Sequence, residues 1–196
     1  SMLSQNSTLN FSGGTSYVYF DHYMGWNGTN TVVTLSGSHT SDWCYVRFGT
    51  NAVTLNLQTG GVLYANQMIS MNATGTLLFD GGILGVSKSN TGYSNTWIGV
   101  DSGTMSLAVK NGGAVLDTTS GNTALRLPLL REGSSTGGLT KTGLNTLTLA
   151  ALCTYAGDTV VAAGTLKLQP IPLLVNAGFE SPALGDAAYK YLTTDG

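Results

Sequence analysis

Residues 137–168 read GGLTKTGLNTLTLAALCTYAGDTVVAAGTLKL. Inside this stretch Thr146-Leu147-Thr148-Leu149 and Thr165-Leu166-Lys167-Leu168 alternate at period two. That spacing puts the leucines on one face of a strand and Thr or Lys on the other. Thr54-Leu55-Asn56-Leu57 and Ser106-Leu107-Ala108-Val109 repeat the pattern upstream. Few segments carry apolar residues at i, i+3, i+4 and i+7 without Gly, Asn or Thr interrupting, so the chain reads as strands rather than helices.

The strands share a punctuation. Thr59-Gly60-Gly61-Val62-Leu63, Asp80-Gly81-Gly82-Ile83-Leu84 and Asn111-Gly112-Gly113-Ala114-Val115-Leu116 each run from a polar residue through two glycines into an apolar strand. Ala163-Gly164-Thr165-Leu166 is a looser copy. The first glycines stand at 60, 81 and 112, steps of 21 and 31. A loose repeat of about 20–30 residues marks a solenoid, in which each copy is too short to bury its apolar face alone. A β-sandwich also has short strands and frequent turns, but it does not predict this recurring motif.

Composition agrees. Charged residues are 9% of the chain, against roughly 25% in a typical soluble domain. There are 27 glycines and 4 prolines. Thr and Val favour strands and Gly and Asn favour tight turns, which together describe many short strands joined closely. Uncharged ladders of Thr, Asn and Ser on the outside would explain the scarcity of Lys and Glu. Net charge is −2, so no basic footprint for nucleic acid is present. No stretch approaches the ~18 apolar residues of a membrane span. Cys44 and Cys153 read as small buried hydrophobes, with a disulfide left open because spacing alone does not argue for one. Ser1-Met2 reads as a cloning remnant, so the chain is expected to start inside a longer protein.

The stretch 137–168 resembles the autotransporter-associated β-strand repeat of secreted passenger regions. Gly138-Leu139-Thr140-Lys141-Thr142-Gly143, Thr146-Leu147-Thr148-Leu149, Tyr155, Gly157, Thr159, Val161 and Gly164-Thr165-Leu166 carry the resemblance. Asn145 stands where that family usually has Gly, Ala150-Ala151 replaces a Ser-Gly turn, and Cys153 sits where Asn is common. The resemblance implies a right-handed parallel β-helix outside a Gram-negative-type cell, serving as stalk, spacer or adhesin, with no catalytic residues to carry over. Residues 173–184, LLVNAGFESPAL, resemble the opening of a carbohydrate-binding-type β-sandwich through Asn176, Gly178, Phe179, Glu180 and Pro182. An irregular cap on the solenoid is the other reading of that end.

The competing class is an enzyme on a β-helix, such as a polysaccharide lyase or hydrolase. Such sites need converging carboxylates or Asp clustered with Lys or Arg. The ten acids here are spread out. Stacking could bring Asp80, Asp101 and Asp117 to one edge, yet Asp80 is explained by its turn. His22 and His39 are the only histidines, and no nucleophile elbow, metal set or phosphate loop is present. No catalytic residue, metal or cofactor is therefore expected. Nine of the 17 aromatic residues lie within 11–48. They read as filling for the end of the helix, or as a shallow glycan platform. Trp43 and Tyr45, on one face of a strand, are the glycan-binding candidates, with Trp26 as an outlier.

These readings combine into one expectation. The chain is an all-β, right-handed, single-stranded parallel β-helix of roughly eight coils. Residues 1–50 form N-terminal aromatic-rich coils or a cap, 51–170 the β-helix proper, and 171–196 a cap or the start of a following β-sandwich. The expected role is non-catalytic display or adhesion at a bacterial surface, with a carbohydrate-binding module of a surface or polysaccharide-utilising protein as the alternative and a polysaccharide lyase or hydrolase on a β-helix behind it. Partners would be glycans or host-surface polymers and neighbouring domains of the same long chain.

Overall fold

The computed structural model describes residues 7–24, 30–49, 51–87 and 98–169; at 17–23, 43–45, 72 and 99–102 it describes the backbone. Thirteen strands and no helix occur among them. They are β1 (Ser7–Met24), β2 (Asn30–Phe48), β3 (Ala52–Gln58), β4 (Val62–Asp80), β5 (Ile83–Val86), β6 (Ile98–Val109) and β7 (Ala114–Asp117). Then come β8 (Thr123–Leu125), β9 (Leu129–Arg131), β10 (Leu139–Thr142), β11 (Thr146–Leu149), β12 (Thr159–Val161) and β13 (Thr165–Leu168). β11 and β13 have the bounds that alternation predicts.

Every strand pair is parallel, and the registers resolve into three stacked faces. On the first face Leu9, Val33, Leu55, Leu77, Leu107 and Leu129 stand one above another. On the second the column is Ser16, Ser41, Leu63, Leu84, Leu116, Lys141 and Val161. On the third it is Val46, Met68, Ile98, Leu125, Leu149 and Leu168. The chain is thus a parallel β-solenoid of about six turns, and the described residues end in a partial coil at β12 and β13. Roughly eight coils were expected from dividing the length by the repeat. The described residues stop at 169, and one coil takes 30 residues to pass from Leu77 to Leu107.

The interior explains why the alternation holds. Val33, Leu55, Leu77, Leu107 and Leu129 are fully buried. Each such side chain contributes about 1.5–3 kcal/mol relative to exposure. Outward positions carry the uncharged contacts that composition suggests: the Asn56 amide donates to Thr34 Oγ1 at 3.2 Å.

The glycine pairs mark the corner between the first and second faces. A Cβ at Gly60 would lie 1.6 Å from the carbonyl oxygen of Gly37, and one at Gly137 would lie 1.9 Å from that of Lys110. Backbones of successive coils approach so closely there that only glycine fits. Gly60 also has φ of 82°. The three glycine pairs are spaced by the coil length because they are the same corner in successive turns, whereas Ala163-Gly164 lies at the next corner, between β12 and β13.

Candidate functional site

The acids do not converge. Asp80 ends β4 at the first corner, where Oδ1 accepts the Gly112 amide at 2.9 Å and Lys110 Nζ stands 3.8 Å from Oδ2. Asp117 ends β7 at the next corner, where Oδ1 accepts from the Thr119 amide and hydroxyl and from the Thr142 hydroxyl. Asp101 lies in β6, ahead of its first-face segment. Three different corners hold the three residues. Asp80 and Asp117 serve their turns, as read from the sequence for Asp80. No group of three metal-ligating side chains occurs among the described residues, and no helix there is long and apolar enough to cross a membrane.

Trp43 and Tyr45 fall in β2, where their backbones stand in register with Ala65 and Gln67 of β4. Ala65 is buried and Gln67 half-exposed. Trp26 lies outside the described residues, as does the stretch 173–184. Of the N-terminal aromatics, Phe48 is fully buried and Phe11 packs on the core.

Two polar clusters emerge that sequence reading missed. His39 is buried between the first two coils. Its ring stacks on Phe11 with centroids 4.8 Å apart. Nδ1 lies 3.0 Å from the Gly13 carbonyl, and Nε2 lies 2.9 Å from Ser41 Oγ and 3.2 Å from Ser16 Oγ. A carbonyl only accepts, so in the neutral ring Nδ1–H donates and Nε2 takes a hydroxyl proton. The cluster spans 23–26 residues of sequence, and only the coil register reveals it.

The second cluster centres on Lys141. Its column neighbour below is Leu116, and it is itself fully buried. The three Nζ–H donors are shared among four oxygens, Thr118 Oγ1 at 2.7 Å and the carbonyls of Thr142 (2.8 Å), Gly143 (2.6 Å) and Ala163 (2.9 Å). One ammonium thereby joins the second corner of three successive coils. Burial pushes it below its ordinary value, with Asp117 pulling the other way. On the outer second face Tyr64 lies across Gly85, where a Cβ would meet its ring at 2.5 Å. Burial pushes the Tyr64 hydroxyl up, and Asp117 and Asp42 add to the shift.

The third feature is an open apolar recess of about 520 Å³ at the C-terminal end, lined by Leu149, Leu166, Leu168, Cys153 and Tyr155 among others. Cys153 is a free thiol, so no disulfide joins it to Cys44. Its sulfur accepts the Leu129 amide at 3.4 Å, and burial pushes the thiol up against that bond.

Residues 139–168 match the family model of the passenger-associated-transport-repeat. That match and the parallel solenoid fit an autotransporter passenger β-helix repeat protein. The repeat family implies a secreted or cell-surface protein. No curated protein and no solved structure matches the chain. The passenger repeat begins at β10 and ends with β13, so it spans half of one coil and the whole of the next. Its corner is where Lys141 sits. Asn145, in place of the usual Gly, adds to that corner: its amide donates to the carbonyls of Thr118 at 2.8 Å and Thr119 at 3.1 Å.

Proposed function

We propose that this chain is a non-catalytic segment of a secreted bacterial passenger, a spacer that extends and displays neighbouring domains at a Gram-negative-type surface. The observation that carries the reading is the passenger repeat continuing the same uninterrupted stack of coils. A parallel solenoid grows along one axis, about 4.8 Å per coil, which suits a rigid spacer. Each coil contacts mainly its neighbours, so extension needs only further copies. Carboxylates held singly in turns, rather than facing one another, support a non-catalytic role.

Adhesion through glycans or host polymers is the finer question. Binding of the intact chain to a broad glycan and mucin array answers it, with Trp43→Ala/Tyr45→Ala in parallel. The spacer reading expects no binding by folded protein. Glycan binding that the double substitution abolishes, with the far-ultraviolet β signal intact, would replace spacer by adhesin.

A further inference from the structure

On the first face, the residues between the buried leucines point outward, and the coil registers stack them in columns. Thr8, Val32, Thr54, Thr76 and Ser106 form one column. Thr74 and Thr104, two residues earlier on their strands, stand side by side in a second. The pairing is unbroken from Val53 to Gln58 against β4 and from Thr74 to Phe79 against β6. The hydroxyls of Thr54, Thr74, Thr76, Thr104 and Ser106 therefore fall on an oblong net, about 4.8 Å between coils and about 6.6 Å along a strand.

The net faces outward with its hydrogen bonds unspent. Among the described residues none of those five hydroxyls bonds to another group of the chain, whereas Thr34 Oγ1, beside them, accepts the Asn56 amide. No Asp, Glu, Lys, Arg or aromatic residue stands in the two columns. Asp80 and Lys110 lie at the corner beyond, where they pair with each other. The floor is fixed, because Leu55, Leu77 and Leu107 are fully buried beneath it. A β-branched threonine also holds its χ1 tightly, so the hydroxyls keep their places.

We propose that this face binds ice. Each water at an ice surface both donates and accepts, and so does a hydroxyl. The prism face of hexagonal ice sets its oxygens on an oblong net of nearly these dimensions. Charge complementarity takes its neutral form here: an uncharged lattice meets an uncharged face, and no ion has to be stripped of water. The methyls of the threonines and Val32 restrict first-shell water, and the hydroxyls anchor it. Stacking on the sugar rings of a crystalline polysaccharide needs aromatic side chains, which these columns lack. The inference goes beyond the spacer reading. A passenger with such a face tethers its cell to ice while it spaces the domains beyond, and either role stands without the other.

Growth of a single ice crystal in a solution of the intact 196-residue chain tests it. The expected result is a faceted crystal and a gap between melting and freezing temperatures, both absent from an albumin blank of equal concentration. Thr54→Lys/Thr76→Lys should bring both to the level of the blank, and so should Thr76→Tyr, which adds bulk without charge. Thr40→Lys/Thr140→Lys, at outward positions of the second face, should change neither. All variants are compared at an unchanged far-ultraviolet β signal. Round crystals and no gap with the folded unsubstituted chain would overturn the proposal. So would activity that survives both first-face variants, or that falls equally in the second-face pair.

Discussion

The coils before residue 88 and those after residue 97 are held together differently. In the earlier ones β1, β2 and β4 run for 18, 19 and 19 residues, bending through corners without leaving the ladder. In the later ones, from β7 onward, no strand exceeds four residues. The second face shows the contrast in one column: Leu63, Leu84 and Leu116 are followed by Lys141. Both regions use glycine corners, and the earlier coils add apolar stacking and, between the first two, the buried His39, Ser16 and Ser41 cluster. Later coils shorten their strands and fasten the corners with side chains, chiefly Lys141, Thr118 and Asn145. A solenoid can therefore exchange ladder length for corner bonds within one continuous stack.

The contrast breaks hardest if the two solutions are swapped. Leu84→Lys puts an ammonium at the register position of Lys141 without the corner oxygens, and should cost about 5 kcal/mol in urea unfolding. A cost near zero would mean that the corner oxygens are not what makes Lys141 tolerable. Next comes Lys141→Met, which keeps the packing but takes the ammonium from the carbonyls of Gly143 and Ala163, while the Thr142 carbonyl keeps the Thr118 amide and hydroxyl. It should cost about 3 kcal/mol, with exchange protection lost first at 118–122 and 162–164. A neutral or stabilising result would remove the staple. Asn145→Ala should cost about 1 kcal/mol, since two carbonyls lose one amide donor each. The smallest effect concerns pH. The folded-state value of Tyr64 lies above its ordinary 10.0, so its contribution is complete below pH 10 and is lost as pH rises towards the folded value. Tyr64→Phe should flatten the fall in stability above pH 10. An unchanged slope would show that the Tyr64 proton is not linked to folding.

Much of the fold could be read because it is local. Thr146–Leu149 and Thr165–Leu168 alternate within four residues, and Gly60, Gly81 and Gly112 recur at the coil length. What escaped is set by register. Lys141 shares a strand face with Leu139, so period two already places it inward. A buried lysine is rare without partners, and its partners Thr118 and Ala163 lie 23 and 22 residues away. The His39 cluster with Ser16 and Gly13 hid for the same reason. Asp80, Asp101 and Asp117 show the converse. Stacking could have brought them to one edge, but their steps of 21 and 16 fall short of the 30 residues from Leu77 to Leu107, so each sits at a different corner.

The central claim is that successive coils stack in parallel register, and cysteine pairs test it most directly. In a Cys44→Ser/Cys153→Ser background, Thr54→Cys/Thr76→Cys and Thr76→Cys/Ser106→Cys join residues in register on adjacent coils. Adjacent strands lie about 4.8 Å apart, within the Cα range of a disulfide, whereas two coils span about 9.6 Å. Both adjacent pairs should oxidise to an intramolecular disulfide, and Thr54→Cys/Ser106→Cys should not. Cross-linking of the distant pair, or failure of both adjacent pairs in folded protein, would contradict the stacked solenoid.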